Sequence, residues 1–118
     1  MSVPLRRFVT VLFVLALVAG FVVAMLPPPE GVSLAAGRDK LFHFAAFAGF
    51  ALFGFTVWPT RVPKVLALLL VYGLLIEIAQ SATGHRSGDP LDWLADAAGV
   101  FAAFLLRTMW LRLRASTA

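Results

Sequence analysis

A chain of 118 residues leaves room for one domain, and this one is 61% hydrophobic and 14% charged, with mean hydropathy +0.92. A water-soluble domain of this size could not hide so much apolar surface, so the composition excludes one and points to an integral membrane protein. The net charge of +4 sits on basic residues that flank apolar runs, where it serves topology rather than nucleic-acid binding; the lack of cysteine removes disulfides and thiolate metal sites.

The first apolar run, Phe8 to Leu26, carries no charge and is stopped by PPPEG. Arg6 and Arg7 precede it, as in a signal peptide. Its apolar stretch exceeds the roughly 7–15 residues of a signal core and no A-x-A site follows, so it reads as a retained anchor. The second run, Leu41 to Trp58, holds one histidine and ends at Pro59. Its phenylalanines (42, 44, 47, 50, 53 and 55) surround the helix and read as lipid and packing contacts. The third, Val65 to Thr83, holds one glutamate. The fourth, Leu91 to about Leu111, carries Asp92 and Asp96 near its start and Arg107 near its end. Its uncharged core is only Ala97 to Leu106, so a helix lying in the interface is the alternative there. Helices of about 20 residues, rising about 1.5 Å each, cover the roughly 30 Å of hydrocarbon. The expected fold is an all-α integral membrane protein, a compact bundle of four transmembrane helices in one domain spanning 1–118.

Basic residues set the direction. With a cytoplasmic N-terminus, that side holds Arg6, Arg7, Arg61, Lys64, Arg107, Arg112 and Arg114, while Arg38, Lys40 and Arg86 fall on the other. Both termini are therefore expected in the cytoplasm, with loops 27–40 and 84–90 facing outward. Trp58 and Trp110 fall at the inner interface and Trp93 at the outer one, as aromatic belts require.

Ionisable residues inside spans are costly and mark function by default. His43 lies about one turn inside the outer face, and Glu77 and Asp96 each about 9 Å below it, with Asp92 about 3 Å down. Four ionisable side chains on three helices thus share one outer layer, and the inner half has no counterpart. The faces agree: Asp39 and His43 form an i, i+4 pair, Gly73, Glu77, Gln80 and Ser81 share one face, and Asp92, Ala95, Asp96, Gly99 and Ala103 another. Small residues would let these helices approach closely, with polar side chains bonding across the seam.

Each residue has two readings. Glu77 and Gln80 either lock the bundle by an interhelical hydrogen bond or supply a base, proton carrier or metal ligand. His43 is either a packing histidine bonded to Asp39 or Glu77, or a catalytic residue or ligand. Helix capping accounts for part of Asp92, but Asp96 sits beyond the first turn. Arg86 has the fork geometry for a phosphate or carboxylate, or else pairs with Asp89 or Asp92. His85, Ser87, Asp89 and Glu30 read as solvated loop residues. His43, Glu77, Asp92 and Asp96 offer donors for Zn²⁺ or Mn²⁺, but no H-E-x-x-H or comparable motif is present, so no metal or other cofactor is assigned.

The arrangement D-K-x-x-H (Asp39, Lys40, His43), E-x-x-Q (Glu77, Gln80), then an arginine and D-x-x-A-D-x-x-G (Arg86, Asp92, Ala95, Asp96, Gly99) resembles the VanZ-like membrane family, over Arg38 to Gly99. Many members resemble D-x-x-A-N-x-x-G in the last motif, whereas this chain has Asp96. The family takes its name from a protein linked to teicoplanin resistance. The resemblance implies a multi-pass protein of the bacterial inner membrane with a role around the cell envelope.

These features lead to an outward-facing polar pocket that recognises or modifies an anionic envelope lipid, a lipid-linked cell-wall precursor or a glycopeptide. His43, Glu77, Asp92 and Asp96 are its expected working residues, and Arg86, Lys40, Asp39 and Gln80 its expected binding residues. A non-catalytic accessory protein and a small proton-coupled transporter with Glu77 as carrier are the alternatives.

Overall fold

A computed structural model describes residues 1–27, 36–84, 86 and 88–117. Four helices follow in chain order: α1 (Val3–Met25), α2 (Ala36–Val57), α3 (Val62–Ala82) and α4 (Pro90–Ser116). Each is long and apolar enough to cross a bilayer, and together they form a four-helix membrane bundle. The helices begin earlier than the apolar runs: α1 takes in Arg6 and Arg7, and α2 takes in Asp39 and Lys40. Helical hydrogen bonding propagates through such residues, and only the hydrocarbon demands apolar ones. Proline supplies the start of α1, α3 and α4, because its missing N–H is one that a first turn leaves unpaired anyway.

The outer surface is apolar. Leu41, Phe42, Val71, Leu105 and Leu113 are among many large hydrophobics left more than half exposed, which water would not tolerate and lipid does. The core divides by height. Phe13, Phe55, Val57, Val62, Val65 and Leu69 fill the end that holds both termini. The buried polar residues, Glu77, Gln80, Asp92 and Asp96, gather toward the other. Three threonine hydroxyls within the spans bond their own helix: Thr10, Thr56 and Thr108 each donate to the carbonyl four residues back.

Helix α4 is integral to the bundle, which excludes the interfacial reading: it packs most extensively against α2 and next against α3. Its 27 residues span about 40 Å, so the last turns, with Arg112 and Arg114, overrun the hydrocarbon. Close approach to α2 depends on Gly99, because a Cβ there would collide with the carbonyl of Phe44. Backbone contact at that level brings His43 of α2 beside Asp96 of α4. Helix α1 is the outer wall: Phe13 is its one buried residue, and it packs on α2 and α3.

Candidate functional site

Four local features build the site. Asp89 caps α4, its Oδ1 accepting the Leu91 N–H at 2.9 Å. Its backbone N–H donates to Glu77 Oε2 at 2.9 Å, which ties the start of α4 to α3. Lys40, in the first turns of α2, donates to Asp89 Oδ2 and to Asp92 Oδ1, both at 2.9 Å. His43, one turn on, places Nδ1 2.8 Å from Asp96 Oδ1 and Nε2 3.8 Å from Asp92 Oδ2. Donor atoms of His43, Glu77 and Asp96, from α2, α3 and α4, lie within 4.8 Å of one another.

Asp89 stands outside the spans, and its carboxyl is held below the usual aspartate value. The Lys40 ammonium is the main cause, followed by the Leu91 N–H. Deeper in, Asp96 is fully buried and Glu77 nearly so. Asp96 Oδ2 and Glu77 Oε1 have no hydrogen-bond partner among the described residues. Asp96 Oδ2 occupies the space beside Gly73, 2.8 Å from where a Cβ would stand, on the face of α3 that carries Glu77 one turn later.

On the other side of His43 a cavity of about 360 Å³ opens between α1, α2 and α3. Ala46, Phe47, Phe50, Tyr72 and Ile76 make its wall apolar, and Asp39, His43 and Arg86 line the same space. Arg86 Nε donates to the Leu26 carbonyl at 3.1 Å, which sets the guanidinium at the end of α1.

Of the residues singled out in the sequence, Lys40, His43, Glu77, Asp92 and Asp96 come together, and Asp39 joins them within 4.8 Å of His43 and Asp92. Lys40, rather than Arg86, pairs with Asp89 and Asp92. His43 bonds Asp96, rather than Asp39 or Glu77. Gln80 turns away, its amide donating to the Ala24 carbonyl of α1 at 3.0 Å, though it still borders the cavity. Asp89, read as a solvated loop residue, is instead a three-way link; the signal for it was an aspartate directly before a proline-led helix. Tyr72 belongs to no motif in the sequence, yet its hydroxyl donates to the Leu17 carbonyl at 2.6 Å. A lone phenol in an apolar span needs such a partner. Trp93 donates from Nε1 to the Leu70 carbonyl at 2.9 Å, so it joins α4 to α3 in addition to any interfacial role. His85, Ser87 and Glu30 lie outside the described residues.

Asp39, Lys40 and His43 of α2, Glu77 of α3 and Asp92 and Asp96 of α4 thus meet in space. The VanZ/LLP1 family model matches residues 3–111, which takes in all of these motifs. The chain belongs to the VanZ/LLP1 family. No curated protein and no solved structure matches it. With four membrane-crossing helices, this VanZ/LLP1 chain is a multi-pass membrane protein.

Proposed function

We propose that this protein binds an anionic amphiphile of the bacterial cell envelope, a phospholipid or a lipid-linked wall precursor, at the outer leaflet of the inner membrane. The observation that carries the reading is the shape and chemistry of one cavity: apolar wall between three helices, with Arg86, His43 and Asp39 in the same space. An acyl or prenyl chain matches the aromatic wall of Phe47, Phe50 and Tyr72. A phosphate or carboxylate matches the planar fork of Arg86. The excess of basic residues at the opposite end supports cytoplasmic termini and an outward-facing site. Lys40 is committed to Asp89 and Asp92, and so positions α4 rather than holding the ligand. Bound in this way, the protein would alter how an envelope lipid or wall precursor is presented, which fits the link to glycopeptide resistance that the family resemblance implies.

The test uses purified protein in nanodiscs that mix anionic phosphatidylglycerol with zwitterionic phosphatidylcholine, with retained lipid read by native mass spectrometry. The expected result is retention of the anionic lipid, lost in Arg86→Ala and in the cavity-filling Ala46→Phe. Equal retention of both lipids by the wild type would overturn the reading. In cells, expression is expected to raise teicoplanin resistance in a susceptible host, and Arg86→Ala to abolish the gain.

A further inference from the structure

We propose that His43, Glu77 and Asp96 form a binding site for one divalent transition-metal ion, Zn²⁺ or Mn²⁺. Each residue offers a donor atom, and the three atoms lie within 4.8 Å of one another, from three different helices. Convergence of acidic groups alone would carry little. The deciding observation is that both carboxylates are left incomplete. Glu77 Oε1 and Asp96 Oδ2 are buried with no hydrogen-bond partner among the described residues, on side chains 6% and 0% exposed. Unpaired carboxylate oxygens in a bilayer interior are among the most expensive arrangements a fold can hold. A cation bound between them removes that cost.

Charge leads to the same place. Asp39, Glu77, Asp89, Asp92 and Asp96 gather here with Lys40 and Arg86, so the cluster is short of positive charge even with His43 protonated. A divalent ion supplies what is missing. The donor set of one imidazole nitrogen and carboxylate oxygens suits Zn²⁺ or Mn²⁺ better than the all-oxygen shells of Ca²⁺ or Mg²⁺.

The supporting shell is already in place. His43 Nδ1 lies 2.8 Å from Asp96 Oδ1 in a hydrogen bond, which an ion held by Nδ1, Glu77 and both oxygens of Asp96 would replace. With Nδ1 on the ion, Nε2 stands 3.8 Å from Asp92 Oδ2, and closing by about 1 Å would give it the carboxylate partner that a metal-bound imidazole usually has. Lys40 holds Asp92 in turn, and the Asp89 N–H fixes the other oxygen of Glu77. A second donor group, Asp39, His43 and Asp92, shares the histidine. The unpaired oxygens place the ion in the deeper group.

The experiment reads metal without lipid, so it stands or falls separately from the proposed function. Full-length protein purified in detergent is stripped with a chelator and titrated with ZnCl₂ or MnCl₂, followed by elemental analysis after desalting and by thermal unfolding. One equivalent of Zn²⁺ or Mn²⁺ per chain is expected, with a rise in unfolding temperature on rebinding. Glu77→Gln and Asp96→Asn should each weaken binding by more than tenfold, and Asp92→Asn by about tenfold or more through loss of the histidine's partner. If the stripped wild type takes up no ion and its unfolding temperature is unmoved by either metal, the proposal is wrong, whatever the variants do. Undiminished uptake by folded Glu77→Gln and Asp96→Asn would overturn the assigned ligands.

Discussion

Gly99 of α4 rests so close to the carbonyl of Phe44 on α2 that no Cβ fits between them. The obstruction is backbone, which cannot swing aside as a side chain does. Gly99→Ala must therefore push α2 from α4 and should cost about 1–3 kcal/mol, the range for overpacking a tight core. Gly49→Ala is the control, since a Cβ there meets nothing within 4 Å, and it should change stability by less than about 0.5 kcal/mol or raise it slightly. Thermal or denaturant unfolding in detergent compares the two, and equal effects would refute the close-contact account.

Removal of the Lys40 ammonium strands Asp92, whose side chain is only 6% exposed and whose Oδ1 depends on it. Lys40→Met should lower the unfolding temperature, and adding Asp92→Asn should recover part of the loss. Such non-additivity marks a direct pair. Additive losses in the double-mutant cycle would mean that the pair contributes nothing.

Asp89 predicts a pH dependence. Its folded carboxyl titrates below the ordinary aspartate value because Lys40 and the Leu91 N–H favour the charged form. The stabilisation is then fully present above about pH 4, the unfolded value, and fades as pH falls through the lower folded value. Asp89→Asn should be less stable than wild type above that pH, with the gap closing in more acidic buffer. A pH series of melting temperatures reads this directly, and a gap that widened with acid would reverse the sign.

Tyr72→Phe removes one hydroxyl that donates to the Leu17 carbonyl and leaves the ring in place beside Phe47 and Phe50. Hydrogen bonds between membrane helices average about 0.6 kcal/mol and reach about 1.7, so the loss should fall in that range. The same change removes a single oxygen from the cavity wall and keeps its aromatic surface, so lipid retention should stay at the wild-type level. A loss of lipid binding with unchanged stability would make the phenol a ligand contact instead.

The four spans were legible because a bilayer demands about 20 apolar residues in a row, and the common level of His43, Glu77, Asp92 and Asp96 followed from helical rise alone. Rise gives height but not direction around the axis. That His43 meets Asp96, and that Gln80 turns to α1, depends on how helices rotate against one another, which is set by contacts such as Gly99 on Phe44. The donors His43, Glu77 and Asp96 are visible in the sequence as possible metal ligands, but their pairing state is not. They come from three helices, so no short motif joins them, and the unpartnered oxygens of Glu77 and Asp96 exist only in the folded chain. Asp89 was missed because a residue outside a span was assumed to face water; its neighbour Pro90 already marked it as a helix start.

Helix α1 and the residue that caps it are hydrogen-bonded to the bundle through the main chain: Leu17, Ala24 and Leu26 accept bonds from Tyr72, Gln80 and Arg86 through carbonyl oxygens. Every residue type carries that oxygen. Phe13, Leu17, Ala24 and Met25 pack on the core and Gly20 leaves room for the Phe50 ring, but the lipid-facing side of this helix meets the other three through its backbone and not its sequence. Mutations can therefore accumulate on that outward side without disturbing the histidine and carboxylates behind it, and the side is free to adapt to whatever lipid surrounds it.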